Sequence, residues 1–197
     1  MVTGIVLAGG KSSRLGQDKA FVRLGGRSML ERITEVLSQV FERIIIVTCT
    51  TLKHPRPGIT VIQDIIPGCG PLGGIYTGLK RSPSQYSFIT ACDLPFIRPS
   101  LINYMLEGLK DYDVIVPRVG ERLEPLHAIY SKNCIAHIEK QLHAGPFKVT
   151  GFFPRVKVRE ISREEIERFD PGMLSFFNIN TPSDLEKARR MLERQSR

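Results

Sequence analysis

Gly4-Ile5-Val6-Leu7-Ala8-Gly9-Gly10-Lys11-Ser12-Ser13-Arg14-Leu15-Gly16-Gln17-Asp18-Lys19 is the stretch whose reading decides the fold. Ile5-Val6-Leu7 is an uninterrupted apolar run, the pattern of a strand buried on both faces. It stops at Gly9-Gly10, which reach backbone conformations closed to other residues and leave no Cβ in the way of a ligand. Backbone N–H groups there, together with Lys11, Arg14 and Lys19, make a cradle for a polyanion. The stretch reads as a nucleotide phosphate site following a central strand.

Two common phosphate motifs fail on spacing. A Walker A loop needs four residues between its first glycine and Gly-Lys-Ser/Thr. Counting back from Gly10-Lys11-Ser12 puts Ile5 at that position, within the strand. A Rossmann fingerprint needs G-x-G-x-x-G, and Gly9-Gly10-Lys11 breaks it.

The following segments alternate between strand and helix. Phe21 to Leu24 is a short apolar segment turned by Gly25-Gly26. Ser28 and Glu31 then form a capping box ahead of a helical stripe, Leu30, Ile33, Leu37 and Val40. Arg43 to Thr48 and Ile59 to Ile62 read as strands, and Pro71 opens a helix whose Leu72, Ile75 and Leu79 share a face. Tyr86 to Ala91 is a strand leading directly into Cys92-Asp93-Leu94-Pro95-Phe96. That places Asp93 at the carboxyl end of a central strand, where open α/β sheets bind ligands. A helix from Pro99 and a strand over 113–117 follow.

Beyond this the pattern loosens. Ser131 is expected to cap a helix through His143, Val156 to Ile161 alternates like a half-exposed strand, and Ser175 to Asn180 reads as a short strand. Thr181-Pro182-Ser183-Asp184 opens the last helix, while 149–170 carries no assignable motif. The expectation is an α/β protein of three layers, α/β/α, with a Rossmann-like, mostly parallel sheet. We expect one domain over 1–197, with 1–117 the nucleotide-binding part and 118–197 the acceptor side and C-terminal helix.

Composition narrows the function classes. With 42% hydrophobic and 24% charged residues the chain reads as an ordinary globular protein, and no apolar run approaches a membrane span. No signal peptide is evident at Met1-Val2-Thr3-Gly4, and Cys49, Cys69, Cys92 and Cys134 lack zinc or disulfide spacing, so we expect reduced thiols and a cytoplasmic location. Net charge is +8, but Lys187, Arg189, Arg190, Arg194 and Arg197 concentrate the excess in the last helix, the pattern of a solvated face. Without an aromatic RNA-binding pattern or finger spacing, the charge does not indicate a nucleic-acid partner.

Leu7-Ala8-Gly9-Gly10-x-Ser12-x-Arg14-x-Gly16-x-Asp18-Lys19 resembles the signature of Mg²⁺-dependent nucleotidyltransferases, and in particular the molybdenum cofactor guanylyltransferases (the MobA-like family). Gly70 to Ile75, Cys92 to Phe96, Glu124 to Tyr130 and Asn178 to Leu185 are similar to that family's later blocks, in the same order. The resemblance implies the fold of nucleotide-diphospho-sugar transferases. It also implies transfer of GMP from GTP to the terminal phosphate of molybdopterin, with release of pyrophosphate. Arg14, Lys19 and Asp93 would be catalytic; Leu7, Ala8, Gly9, Lys19, Asp64 and Asp93 would bind the nucleotide; Asp93 and Asn180 would hold Mg²⁺.

The partners implied are GTP, molybdopterin and, transiently, proteins of molybdenum cofactor biosynthesis or molybdoenzymes, with no nucleic acid and no membrane. His127 suits a core position better than a pterin contact, and core packing is the default for Tyr130, Phe152, Phe153, Phe176 and Phe177. Where the family often carries an asparagine after the second strand, this chain has Thr48-Cys49-Thr50, and no role is carried over. Spacing does not separate a guanine from a cytosine pocket, so a cytidylyltransferase or sugar-phosphate enzyme stays open, as does a silent α/β binding module.

Overall fold

The computed structural model describes residues 1–9, 19–52 and 56–195. In chain order the elements are β1 (Val2–Leu7), β2 (Arg23–Leu24), β3 (Arg27–Ser28), α1 (Met29–Leu37), β4 (Ile44–Thr48), β5 (Ile59–Gln63), α2 (Gly70–Arg81), β6 (Tyr86–Ala91) and α3 (Pro99–Leu106). They continue with β7 (Val114–Val119), β8 (Arg122–Leu123), β9 (His127–Ser131), α4 (Cys134–Ala144), β10 (Val158–Ile161), α5 (Arg163–Phe169) and α6 (Pro182–Gln195).

One sheet runs β10-β7-β9-β6-β1-β4-β5, with β8 paired to β7. β9 is antiparallel to both β6 and β7, while β1, β4, β5 and β6 pair in parallel and β10 pairs in parallel with β7. Strands buried on both faces explain the continuous apolar runs. Ile5 and Leu7 point into one layer and Val6 into the other; likewise Ile45 and Val47 oppose Ile44 and Ile46. One face is covered by α1, α3 and α5 through Leu30, Ile33, Leu101, Met105 and Ile166. The opposite face is covered by α2 and α4 through Leu72, Ile75, Leu79 and Ile138. A smaller cluster joins Val22, Leu24 and Met29 to Phe96, Ile179 and Ala188 of α6.

The local signals act as expected at several points. Ser28 caps α1 with Glu31 reciprocating, and Gly25 and Gly26, both at positive φ, close the β2–β3 hairpin. Pro71 sits in the first turn of α2. From β1 the chain passes to β4 on one side and later returns through β6 on the other. The ends of β1 and β6 therefore flank the switch point where an open α/β sheet offers a crevice.

Two expectations are corrected. Ser131 does not cap a helix: it ends β9, and α4 begins at Cys134. Its hydroxyl bonds the Asp113 carboxylate at 3.0 Å, and its N–H donates to Asp113 O at 2.7 Å, which holds the residue against the neighbouring strand. Ser175 to Asn180 is not a strand. Leu174–Phe176 forms a 3₁₀ turn because Phe176 turns toward His127 and Phe177 toward Phe96, and Ile179 N bonds Asp93 O at 3.0 Å. The unassigned 149–170 region contains a 3₁₀ segment (Val149–Arg155) and α5, the latter opened by a Ser162–Glu165 capping box. That S-x-x-E signal is legible in the sequence.

Candidate active site

The crevice at the switch point is a cavity of about 480 Å³. Leu7, Ala8 and Gly9 enter it from the end of β1, Thr48 and Cys49 from β4, Asp64 from β5, Pro71 and Gly74 from α2, and Cys92 and Asp93 from β6. Lys19 and Leu126 also line it. The structure therefore brings Leu7, Ala8, Gly9, Lys19, Asp64 and Asp93 together on one cleft. Arg14 lies outside the described residues.

The floor is rigid. Leu7 O accepts from Cys92 N at 3.1 Å and Ala8 N donates to Val47 O at 2.8 Å, so sheet bonding continues past the last strand residue. α2 lies close to β1 because it presents glycines there: a Cβ on Gly74 would meet the Leu7 side chain at 3.1 Å, and one on Gly78 would meet Ile5 at 2.9 Å.

The charged centre joins three distant parts of the chain. Lys19 Nζ donates to Asp93 Oδ2 at 2.8 Å and also to Asn180 Oδ1. The Lys19 and Asp93 side chains are only 19% and 14% exposed, so water screens this pair weakly. Asn180 is placed by the start of α6: its N–H donates to Asp184 Oδ2 at 3.2 Å, while the same carboxylate oxygen takes the N–H of Thr181 at 2.9 Å. Asp184 N returns a bond to Thr181 Oγ1, which makes a reciprocal cap. The Thr181 hydroxyl also donates to the carboxylate at 2.8 Å, and the bonds it receives hold the Asp184 carboxyl below its usual range, that hydroxyl contributing most.

Asp93 Oδ1 is buried and has no hydrogen-bond partner among the described residues. A buried carboxylate oxygen left open is costly unless a ligand completes it. Among the described residues lining the cleft, Asp64 and Asp93 stand against Lys19. Asp93 and Asn180 supply oxygen donors of the kind Mg²⁺ takes, and that ion commonly uses only one or two protein ligands beside substrate phosphates. The donor set thus fits a divalent cation arriving with a phosphorylated ligand.

Other sequence readings resolve differently. His127 is fully buried and lies edge-on to Phe88 and Phe176, at 5.0 and 5.2 Å between ring centres. Burial pushes its pKa down to about 3, so the ring is neutral and remote from acid–base work in the cleft. Its predecessor Leu126 is the residue of that block that reaches the cavity. Tyr130, Phe152 and Phe153 form one core cluster, separate from Phe176 and Phe177. Thr48 and Cys49, which carry no role in the sequence reading, also line the cleft; their place at the end of the strand read over Arg43 to Thr48 is the available signal. Burial, together with the neighbouring Asp64 charge, pushes the Cys49 thiol up.

Fold and cleft together define an α/β protein of the open-sheet kind, with its cleft at the ends of the first and sixth strands. The model of the MobA-like NTP transferase domain matches residues 4–153, and the chain belongs to that family of nucleotidyltransferases. A probable molybdenum cofactor guanylyltransferase of Pelotomaculum thermopropionicum is 45% identical over 191 residues, 97% of this chain and 93% of that protein. A molybdenum cofactor guanylyltransferase of Desulfosudis oleivorans is 40% identical over 95% of this chain and 94% of its own length. Among solved structures, molybdopterin-guanine dinucleotide biosynthesis protein A from Archaeoglobus fulgidus superimposes with a TM-score of 0.86 at 28% identity, covering 98% of this chain and all of that one.

Proposed function

We propose that this protein is a molybdenum cofactor guanylyltransferase: it transfers GMP from GTP to the terminal phosphate of molybdopterin. A phosphate oxygen of molybdopterin attacks the α-phosphorus of GTP, a new P–O bond forms, and the bond to the β-phosphate breaks to release pyrophosphate. The nucleophile is already ionised near neutral pH, so no strong general base is needed. The work left to the protein is alignment and charge compensation. The observation that carries the reading is the convergence of Lys19, Asp93 and Asn180 beside the Leu7–Gly9 strand end.

In this reading Lys19 holds phosphate oxygens as a point charge. Leu7, Ala8 and Gly9 meet the base edge, with Pro71 and Gly74 flanking it, and Asp64 accepts a hydrogen bond from the nucleoside. Arg14 contributes a second cation from the adjoining stretch. Asp93 and Asn180 present oxygens to Mg²⁺, which when bound would offset charge developing on the α-phosphate and the departing pyrophosphate. The relatives' names support GTP and molybdopterin as the substrate pair.

Purified protein given Mg²⁺, molybdopterin and GTP should release pyrophosphate, and replacing GTP by CTP should reduce the rate at least about tenfold, the range a mismatched hydrogen-bonding edge costs. Release with CTP but not GTP would overturn the base assignment. No release with either nucleotide would overturn the transfer reaction.

A further inference from the structure

Asp64 is held from two directions. Its Oδ1 accepts from Ile66 N at 3.0 Å, an Asx turn of the kind any loop aspartate makes. The same oxygen also accepts from Thr77 Oγ1 at 2.6 Å, and that bond crosses from the middle of α2. A threonine inside a helix ordinarily turns its hydroxyl back onto a carbonyl of the preceding turn. Thr34 of α1 does so, donating to Leu30 O at 2.9 Å. Thr77, fully buried, instead donates to Asp64 and accepts from Ile65 N at 3.2 Å.

Gly73, one turn earlier on α2, completes the fit. A Cβ there would stand 2.7 Å from Ile66 O and 3.5 Å from Asp64 Oδ2. The helix thus presents a hydroxyl and a gap, and the 64–66 turn seats into both. Oδ1 is saturated by two donors, while Oδ2 has no hydrogen-bond partner among the described residues and belongs to a side chain lining the cleft.

We infer that Thr77 is a positioning residue for nucleotide binding: its hydroxyl fixes the Asp64 carboxylate so that Oδ2 alone is offered, as a single acceptor, to an N–H or O–H donor of the nucleoside. The inference rests on Asp64 being a nucleotide contact. It adds that the contact is pre-organised by α2 and that Asp64 does not grip the base edge with both oxygens.

The test is a double-mutant cycle on the full chain, read as the dissociation constant for GTP by calorimetry, with thermal melting recorded alongside. Asp64→Ala should weaken GTP binding about tenfold, and Thr77→Val should weaken it by a similar factor, the scale of one hydrogen bond to a charged group. Thr77→Ser, which keeps the hydroxyl, should bind within about twofold of wild type. Thr77→Ala, which only removes atoms, is carried beside the valine variant in case valine does not fit. In the Asp64→Ala background, Thr77→Val should cost less than about twofold more, because partners in one bond are not additive. An additive loss would mean that Thr77 acts through the fold alone and overturns the inference. Wild-type affinity in Thr77→Val and Thr77→Ala, with a loss in Asp64→Ala, would overturn the role of Thr77 and leave that of Asp64 standing. Unchanged affinity in Asp64→Ala would remove the nucleotide contact itself, and this inference with it.

Discussion

Lys19 stands on the oxygens that a metal would need. Its ammonium bridges Asp93 Oδ2 and Asn180 Oδ1, and Asp93 Oδ1 is left open beside it. A cation approaching the protein alone must displace that ammonium, whereas a triphosphate gives Lys19 another place to go. Mn²⁺, used as a paramagnetic stand-in, should therefore bind at least about tenfold more tightly once GTP is present. Lys19→Met should bind Mn²⁺ more tightly than wild type without nucleotide, while binding GTP more weakly; equal Mn²⁺ affinity in wild type and variant would rule out the competition. Asp93→Ala should lower kcat by about a hundredfold or more, the loss expected when an electrostatic group is removed at developing charge, while melting within a few degrees of wild type. Wild-type turnover in that variant would remove Asp93 from the reaction.

At the scale of elements, legibility followed how local the determining physics is. β1 and β6 could be read because strands buried on both faces have no polar alternation to hide them, and α1 and α2 because a cap or a proline marks where each begins. Ser175 to Asn180 has the pattern of a strand but does not form one, because its path is set by partners far away: Phe176 packs against His127, and Ile179 bonds Asp93. The same distance explains the site. Lys19, Asp93 and Asn180 each stand in a separate motif, but their meeting depends on the Asp184 cap of α6 and on sheet order, which no local window contains. Asp184→Ala should thus have two effects. Loss of the cap should cost about 1 kcal/mol in denaturant unfolding, and kcat should fall severalfold as Asn180 loosens. A stability loss with unchanged kcat would separate the cap from the site. On the opposite side of the sheet, Gly78→Ala would drive a methyl to 2.9 Å from Ile5 in a packed layer; we expect about 1–3 kcal/mol of destabilisation, seen as a lower denaturant midpoint.

For the whole molecule, His127 makes stability depend on pH in a window that few other groups share. Both ring nitrogens lack partners among the described residues, and the rings of Phe88 and Phe176 offer nothing to stabilise a charge. In the fold the imidazole titrates at about 3, against an ordinary value of 6.5. Between those values the unfolded chain takes up a proton that the folded chain does not. The contribution of the neutral ring is therefore complete above about pH 6.5 and is lost as pH falls toward 3, by up to about 1.4 kcal/mol per pH unit. The carboxylates held below their usual range, Glu31, Asp113, Glu160, Glu164, Glu165 and Asp184, lose their contributions only at more acid pH, through their own lowered values. Glu124, pushed up by burial, acts in the opposite direction near its own range. Subtracting a variant from wild type cancels these carboxylate contributions. His127→Phe keeps an aromatic ring between Phe88 and Phe176 and removes the titration. Denaturant unfolding from pH 5 to 7 should show wild type losing stability on acidification more steeply than His127→Phe, with the two curves parallel above pH 7. Identical slopes across pH 5–6.5 would mean that the folded protein accepts a proton on this ring, and the sealed site between β6 and β9 would have to open to allow it.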